Sequence, residues 1–156
     1  MESEKSFYKF LFNNEEKRTT KIKELEQFLN ENIQKIESHF RITGEIEKSS
    51  SKYNEFTETT LKILQEYNNE LRVKSAEGSD NFKKDINILL NMEKENYKYT
   101  LNIFINKLQC FDFVKTDDDF KLLQKEKEIS LLKVTLASIR EQINDFITNL
   151  KYKYLY

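Results

Sequence analysis

The sequence predicts an all-α protein: a long antiparallel helical coiled-coil bundle with a long first helix. Three observations predict it. First, apolar residues recur in alternating steps of three and four. Ile22, Leu25, Leu29, Ile36, Ile46, Tyr53, Leu64, Tyr67 and Leu71 form one register, with Asn32, His39, Thr43, Ser50, Thr57 and Thr60 at the intermediate positions. Ile129, Leu132, Leu136, Ile139, Ile143, Phe146 and Leu150 form a second. Such a seam must be buried against another helix. Second, there is no Pro, and Gly44 and Gly78 are the only glycines, so tight turns and sheet corners lack their usual residues. Third, 34% of residues are charged and 38% apolar, which suits solvent-laced helices rather than a thick core. That apolar share is too high and too periodic for a disordered chain.

The elements follow in order. Residues 1–13 form an aromatic N-terminal segment, and residues 14–156 a helical coiled-coil domain. Within the segment, Phe7, Phe10 and Leu11 share one face if it is helical. Asn13 or Asn14 suits a cap for the next helix, with Glu15 and Glu16 in its first turn. That helix is expected from about Glu15 to about Lys74, with a kink or break at Thr43–Gly44 left open, because Gly inside a helix costs about 1 kcal/mol against Ala. Ala76-Glu77-Gly78-Ser79-Asp80 is the clearest break, with Gly78 suited to a helix end and Ser79 or Asp80 to the next N-cap. A second helix runs from Asn81 to about Phe111 and carries Phe82, Ile86, Leu89, Tyr97, Leu101, Phe104 and Leu108 on one broad face. At 112–119 either a new helix starts, with Thr116 and Asp119 in a capping-box arrangement, or the helix bends and continues. The last helix reaches about Leu150.

Little in the chain reads as chemistry. His39 sits at a seam position with no local nucleophile or carboxylate to work with. One Cys and one His do not supply the usual zinc ligand set. Asp117-Asp118-Asp119 lacks the spacing and turn Gly of a calcium loop, and reads as the acidic start of a helix. There is no Gly-rich phosphate loop and no dinucleotide fingerprint. The expectation is a non-enzyme with no cofactor and no metal. A net charge of −1 gives no global field toward nucleic acid or anionic lipid. Cys110 has no partner for an internal disulfide and reads as a small buried apolar residue in a reducing, cytoplasmic setting. No secretory signal is visible, and no run approaches transmembrane length.

Two features stand above this background. Phe7–Phe12 is either a wedge for a membrane interface or partner groove, or a plug that folds back into the bundle. The plug is favoured, because Glu2 and Glu4 repel anionic lipid. Lys151-Tyr152-Lys153-Tyr154 is either an aromatic-basic tail for a lipid or partner, or an end whose tyrosines cover the bundle. The candidate oligomer seam is Ile22, Leu25, Leu29, Ile36, Leu64, Leu71, Leu132, Leu136, Ile139 and Ile143. The candidate membrane or partner contacts are Phe7, Phe10, Leu11, Lys83, Lys84, Lys94 and Lys98.

A family resemblance adds to this. A very long first helix, a short loop at 76–80 and a second helix interrupted near residue 111 resemble a BAR domain. The chain is most similar to the ciliary BAR-domain-containing family. Two stretches carry the likeness: Ile36-Glu37-Ser38-His39-Phe40 resembles that family's step in the first helix, and Ile105–Lys121, through Cys110-Phe111-Asp112-Phe113, resembles its bend in the second. The resemblance implies a dimerising three-helix coiled coil, binding to curved membrane, and a place at the base of the cilium. The expected function is therefore a helical scaffold that forms homo- or hetero-oligomers through its seams and binds or shapes membranes. The alternative is a structural subunit of a cytoskeletal, ciliary or trafficking assembly with no lipid contact. The arrangement of cations separates them: a membrane module needs several Lys or Arg together on one face, since each adds roughly 1 kcal/mol near an anionic surface.

Overall fold

A computed structural model describes residues 3–45 and 49–156. Within them the chain is all helix: α1 (Glu4–Asn13), α2 (Glu15–Thr43), α3 (Ser49–Ala76), α4 (Asp80–Lys115) and α5 (Asp119–Tyr154). No strand occurs among the described residues. The long helices pack antiparallel. α4 is the central element, packed along α5 on one side and α3 on the other, with α2 against both α3 and α4.

Each boundary has a local cause. Ser3 caps α1, its hydroxyl accepting from the Ser6 N–H. Asn14 (φ −86°, ψ −3°) interrupts the helix for one residue, though its N–H still donates to the Phe10 carbonyl at 3.1 Å and its carbonyl accepts from the Arg18 N–H at 3.1 Å. Ser79 caps α4 by accepting from the Phe82 N–H. The loop before it must contain Gly: a Cβ on Gly78 would sit 2.6 Å from Cδ2 of Phe82, a fully buried ring. Asp118, not Thr116, caps α5, accepting from the Lys121 N–H. Asp117 adopts φ 52°, a left-handed conformation that Asp tolerates better than most residues.

The expected first helix over 15–74 is instead two helices. α2 stops at Thr43, and Gly44 takes φ 69°, the left-handed C-cap that Gly adopts without Cβ strain. Chain direction then reverses, and α3 returns along α2. Ion pairs mark the register: Lys21 lies 3.0 Å from Glu66 and Lys17 lies 3.6 Å from Glu70. The stretch 105–121 is likewise a reversal and not a bend, because α4 ends at Lys115 and α5 runs back along it. Glu2, Ile46 and Lys48 lie outside the described residues.

The interior divides into two apolar clusters. One gathers α1 with Tyr67, Leu71, Phe82, Ile86, Leu89, Ile143, Ile147 and Leu150. The other gathers Leu25, Leu29, Phe56, Leu64, Tyr97, Phe104, Leu108, Ile129 and Leu136. A polar layer lies between them. Glu93, fully buried, accepts from Arg18 at 3.3 Å and from the Asn96 amide at 3.3 Å. Arg140 donates to Asn96 at 3.0 Å, to Thr100 at 3.2 Å and to Glu26. Burial pushes the Glu93 carboxyl above its ordinary range, against the opposing pull of Arg18. Such a layer has no apolar substitute at a shifted height, so it fixes how the helices align.

Candidate interaction surface

The ten candidate seam residues lie inside one chain's own bundle. Leu25, Leu29, Leu64, Leu71, Leu136 and Ile143 are buried, and Ile22, Ile36, Leu132 and Ile139 are half-buried. The break at Gly44 explains this, because it folds the first register back so that α3 and α4 cover what a partner chain was expected to cover.

The aromatic segment also turns inward. Phe7, Tyr8 and Leu11 are buried, while Phe10 and Phe12 are half-buried against the same cluster. The Tyr8 ring stacks on Tyr154 at 3.6 Å and meets Phe82 edge-on at 5.2 Å. Its hydroxyl donates to Asp85. Burial, then that carboxylate, holds the phenol above its ordinary range. Lys74 stands over both Phe7 and Phe10, 5.1 and 5.2 Å from the ring centres. The two features singled out in the sequence, the aromatic head and the basic-aromatic tail, therefore pack on each other. Tyr152 and Tyr156 remain exposed.

The candidate cations Lys83, Lys84, Lys94 and Lys98 are exposed on α4. At about 100° per residue, Lys83, Lys94 and Lys98 fall within about 60° of one another around the helix. Of these, Lys98 pairs with Glu95 at 3.9 Å, and elsewhere too cations alternate with acids: Lys17–Glu70, Lys21–Glu66, Lys52–Glu55, Lys125–Glu128 and Lys151–Glu15 are ion pairs within 4.0 Å. No helix among the described residues is long and apolar enough to cross a membrane. No group of three or more His, Cys, Asp or Glu side chains among them converges on a metal-sized space.

Two apolar surfaces lie outside the sequence-derived set. One is a groove of about 410 Å³ where the C-terminal ends of α2 and α4 meet the start of α5. Ile33, Phe40, Cys110, Phe111, Val114 and Leu122 line it, and Glu37, Arg41, Lys107 and Glu126 edge it. Burial raises the Cys110 thiol and lowers the Lys107 ammonium relative to their ordinary values. The other is the outer face of α5. Phe120, Leu123, Leu131 and Val134 are 70, 50, 69 and 70% exposed. α2 does not close over them, since its polar contacts with α5 fall at Arg140, Asn144 and Lys151, in the C-terminal half. The signal was present in the sequence as a second three-four stripe on the same helix. The stronger inner register, Ile129 to Leu150, masked it.

Comparison with family models, with curated proteins and with solved structures finds no match to this chain.

Proposed function

We propose that this chain is a non-enzymatic helical scaffold that engages a protein partner through the outer face of α5. The observation that carries the reading is the placement of four large apolar side chains, Phe120, Leu123, Leu131 and Val134, on one solvent-facing side of a helix whose other side is already packed. Exposed apolar surface grouped in this way marks interaction sites. A photo-crosslinking side chain at position 131 should yield protein adducts in cells, and one at exposed Thr148 should not. Absence of adducts at 131 would overturn the reading.

A second reading is the membrane scaffold that the BAR resemblance implies. The lysines at 83, 94 and 98 on one side of α4 favour it. Against it stand the interleaved acids, which reduce the attraction of an anionic surface, and the burial of Phe7 and Leu11, which removes the wedge. Co-sedimentation with vesicles rich in phosphatidylserine, at low and physiological salt, separates the two. The protein-partner scaffold stays in the supernatant. Binding that weakens with salt and is lost in Lys83→Glu/Lys94→Glu would favour the membrane reading.

A further inference from the structure

We propose that the groove formed by α2, α4 and the start of α5 binds a medium-chain carboxylate, with its alkyl chain on the apolar walls and its head beside Lys107 and Lys133. This site is separate from the outer face of α5 and does not rest on the scaffold reading above.

Unpaired positive charge at one end of the groove supplies the argument. Lys107 is half-buried on α4. Burial holds its ammonium below the ordinary value, and the charge of Lys133 on α5 pushes the same way. No carboxylate acts on Lys107 to offset this. Among the described residues neither Lys107 nor Lys133 forms an ion pair. The Lys107 ammonium stands instead over the Phe104 ring, 4.5 Å from its centre. Of the two acids at the rim, Glu37 pairs with Arg41 and Glu126 is exposed to water. A half-buried ammonium beside a second lysine, with no carboxylate between them, favours an anion placed there.

Size decides what the anion is attached to. Ile33, Phe40, Phe111, Val114 and Leu122 wall a space of about 410 Å³, within the roughly 300–1,000 Å³ of small-ligand sites. From Lys107 to Val114 on α4, and from Ile33 to Arg41 on α2, the walls run about 12 Å. That is about two helical turns, too short for a partner helix, and a specific protein interface buries about 800 Å² on each side. An unbranched alkyl chain fits such a trough. The groove also has the polarity of an amphiphile, with Lys107 at one end of its α4 wall and Val114 at the other. The head is a carboxylate rather than a phosphate, because Glu37 and Glu126 at the rim would repel a dianion.

Sodium decanoate below its micellar concentration is the probe, and decanol carries the same chain without the charge. Cys110 lines the groove and is the chain's single cysteine, so its alkylation by iodoacetamide reports occupancy in the full chain. Decanoate should slow that reaction saturably, with half-saturation on the order of 0.1–1 mM. Lys107→Met/Lys133→Met should weaken decanoate about tenfold and leave decanol unchanged. Its melting temperature should not fall, because the change removes a half-buried, unpaired charge. Leu131→Glu/Val134→Glu, on the outer face of α5, should bind decanoate as the wild type does. Three results overturn the proposal: no saturable protection of Cys110, a lysine variant that binds decanoate as tightly as wild type, or one that loses decanoate and decanol alike. Decanoate binding seen by calorimetry with Cys110 unprotected would place the carboxylate elsewhere and overturn it too. None of these outcomes bears on the α5 face, which the crosslinks at position 131 test separately.

Discussion

The two halves of α5 share a helix and a composition but not an environment. Beyond about residue 139, α5 is enclosed: Ile143, Ile147 and Leu150 are buried among α1, α3 and α4 residues, and Arg140 and Lys151 tie it to α2. Before that point only one side is covered: Ile129 and Leu136 are buried in the second cluster, while Phe120, Leu123, Leu131 and Val134 face solvent. The number of covering neighbours, and not the apolar content of the helix, decides which residues are core. In the first half only the inner register, Ile129 and Leu136, is core, and an apolar side chain on the outer face has little to lose on mutation. One in the second half carries the fold.

Substitutions can break this contrast. Ile143→Asp should abolish folding or cost more than about 4 kcal/mol, since it buries an unpaired charge. Val134→Asp, on the same helix, should shift monomer stability by no more than about 0.5 kcal/mol. Urea denaturation of the two variants at low micromolar concentration checks the pair, and comparable losses would mean that α5 is covered along its whole length. Next in size is the polar layer that separates the two apolar clusters. Glu93→Ala should cost about 3–5 kcal/mol by leaving Arg18 unpaired and largely buried. The double variant Arg18→Met/Glu93→Leu should recover most of that, because similar-sized apolar residues remove both desolvation costs. A double variant as unstable as the single one would show that the layer is irreplaceable.

Aromatic residues give the third comparison. Tyr8→Ala should cost about 3 kcal/mol, in the range for truncating a buried aromatic, whereas Phe120→Ala should leave the monomer's melting point nearly unchanged. Equal effects would contradict the placement of Tyr8 in the core.

The smallest effect is in pH. Burial raises the Glu93 carboxyl above its ordinary 4.5, so the folded state takes up a proton more readily than the unfolded chain. The stability linked to this group is fully present below 4.5 and is lost as pH rises through the folded value. Wild type should therefore lose stability relative to Glu93→Gln as pH rises above 4.5. A difference independent of pH would show that Arg18 fully compensates the burial.

Much of the fold was legible in the sequence, and the misses share a cause. The loop at 76–80 and the Ser79 cap follow from Gly, Ser and Asp in the right order. The helices follow from the three-four periodicity. The seam's partner does not. A heptad register looks the same whether another chain or the next helix covers it, so Ile22 and Leu25 pointed to an oligomer while the structure folds α3 and α4 over them. Gly44 is the one clue, and a glycine there is compatible with a kink as well as a break. The α5 surface was hidden for the converse reason. Two stripes on one helix compete for the same inside face, and which one wins depends on the position of α2 and α4. The polar layer could not be read at all, because Arg18, Glu93 and Arg140 are 75 and 47 residues apart in sequence and meet only in the folded bundle.

The stacking of Tyr8 on Tyr154 bears on how the bundle is assembled. It joins residues separated by almost the whole chain, so the loop that it closes spans 146 residues. Loop-closure entropy grows with that length, and distant contacts slow folding. The clasp of α1 on α5 is therefore expected to form late, after the α3–α4 and α4–α5 hairpins. A circular permutant that joins residues 3 and 156 by a short linker and opens the chain at residue 78 would make the clasp local. It should fold faster than the natural order at nearly the same stability, and stopped-flow refolding would show it.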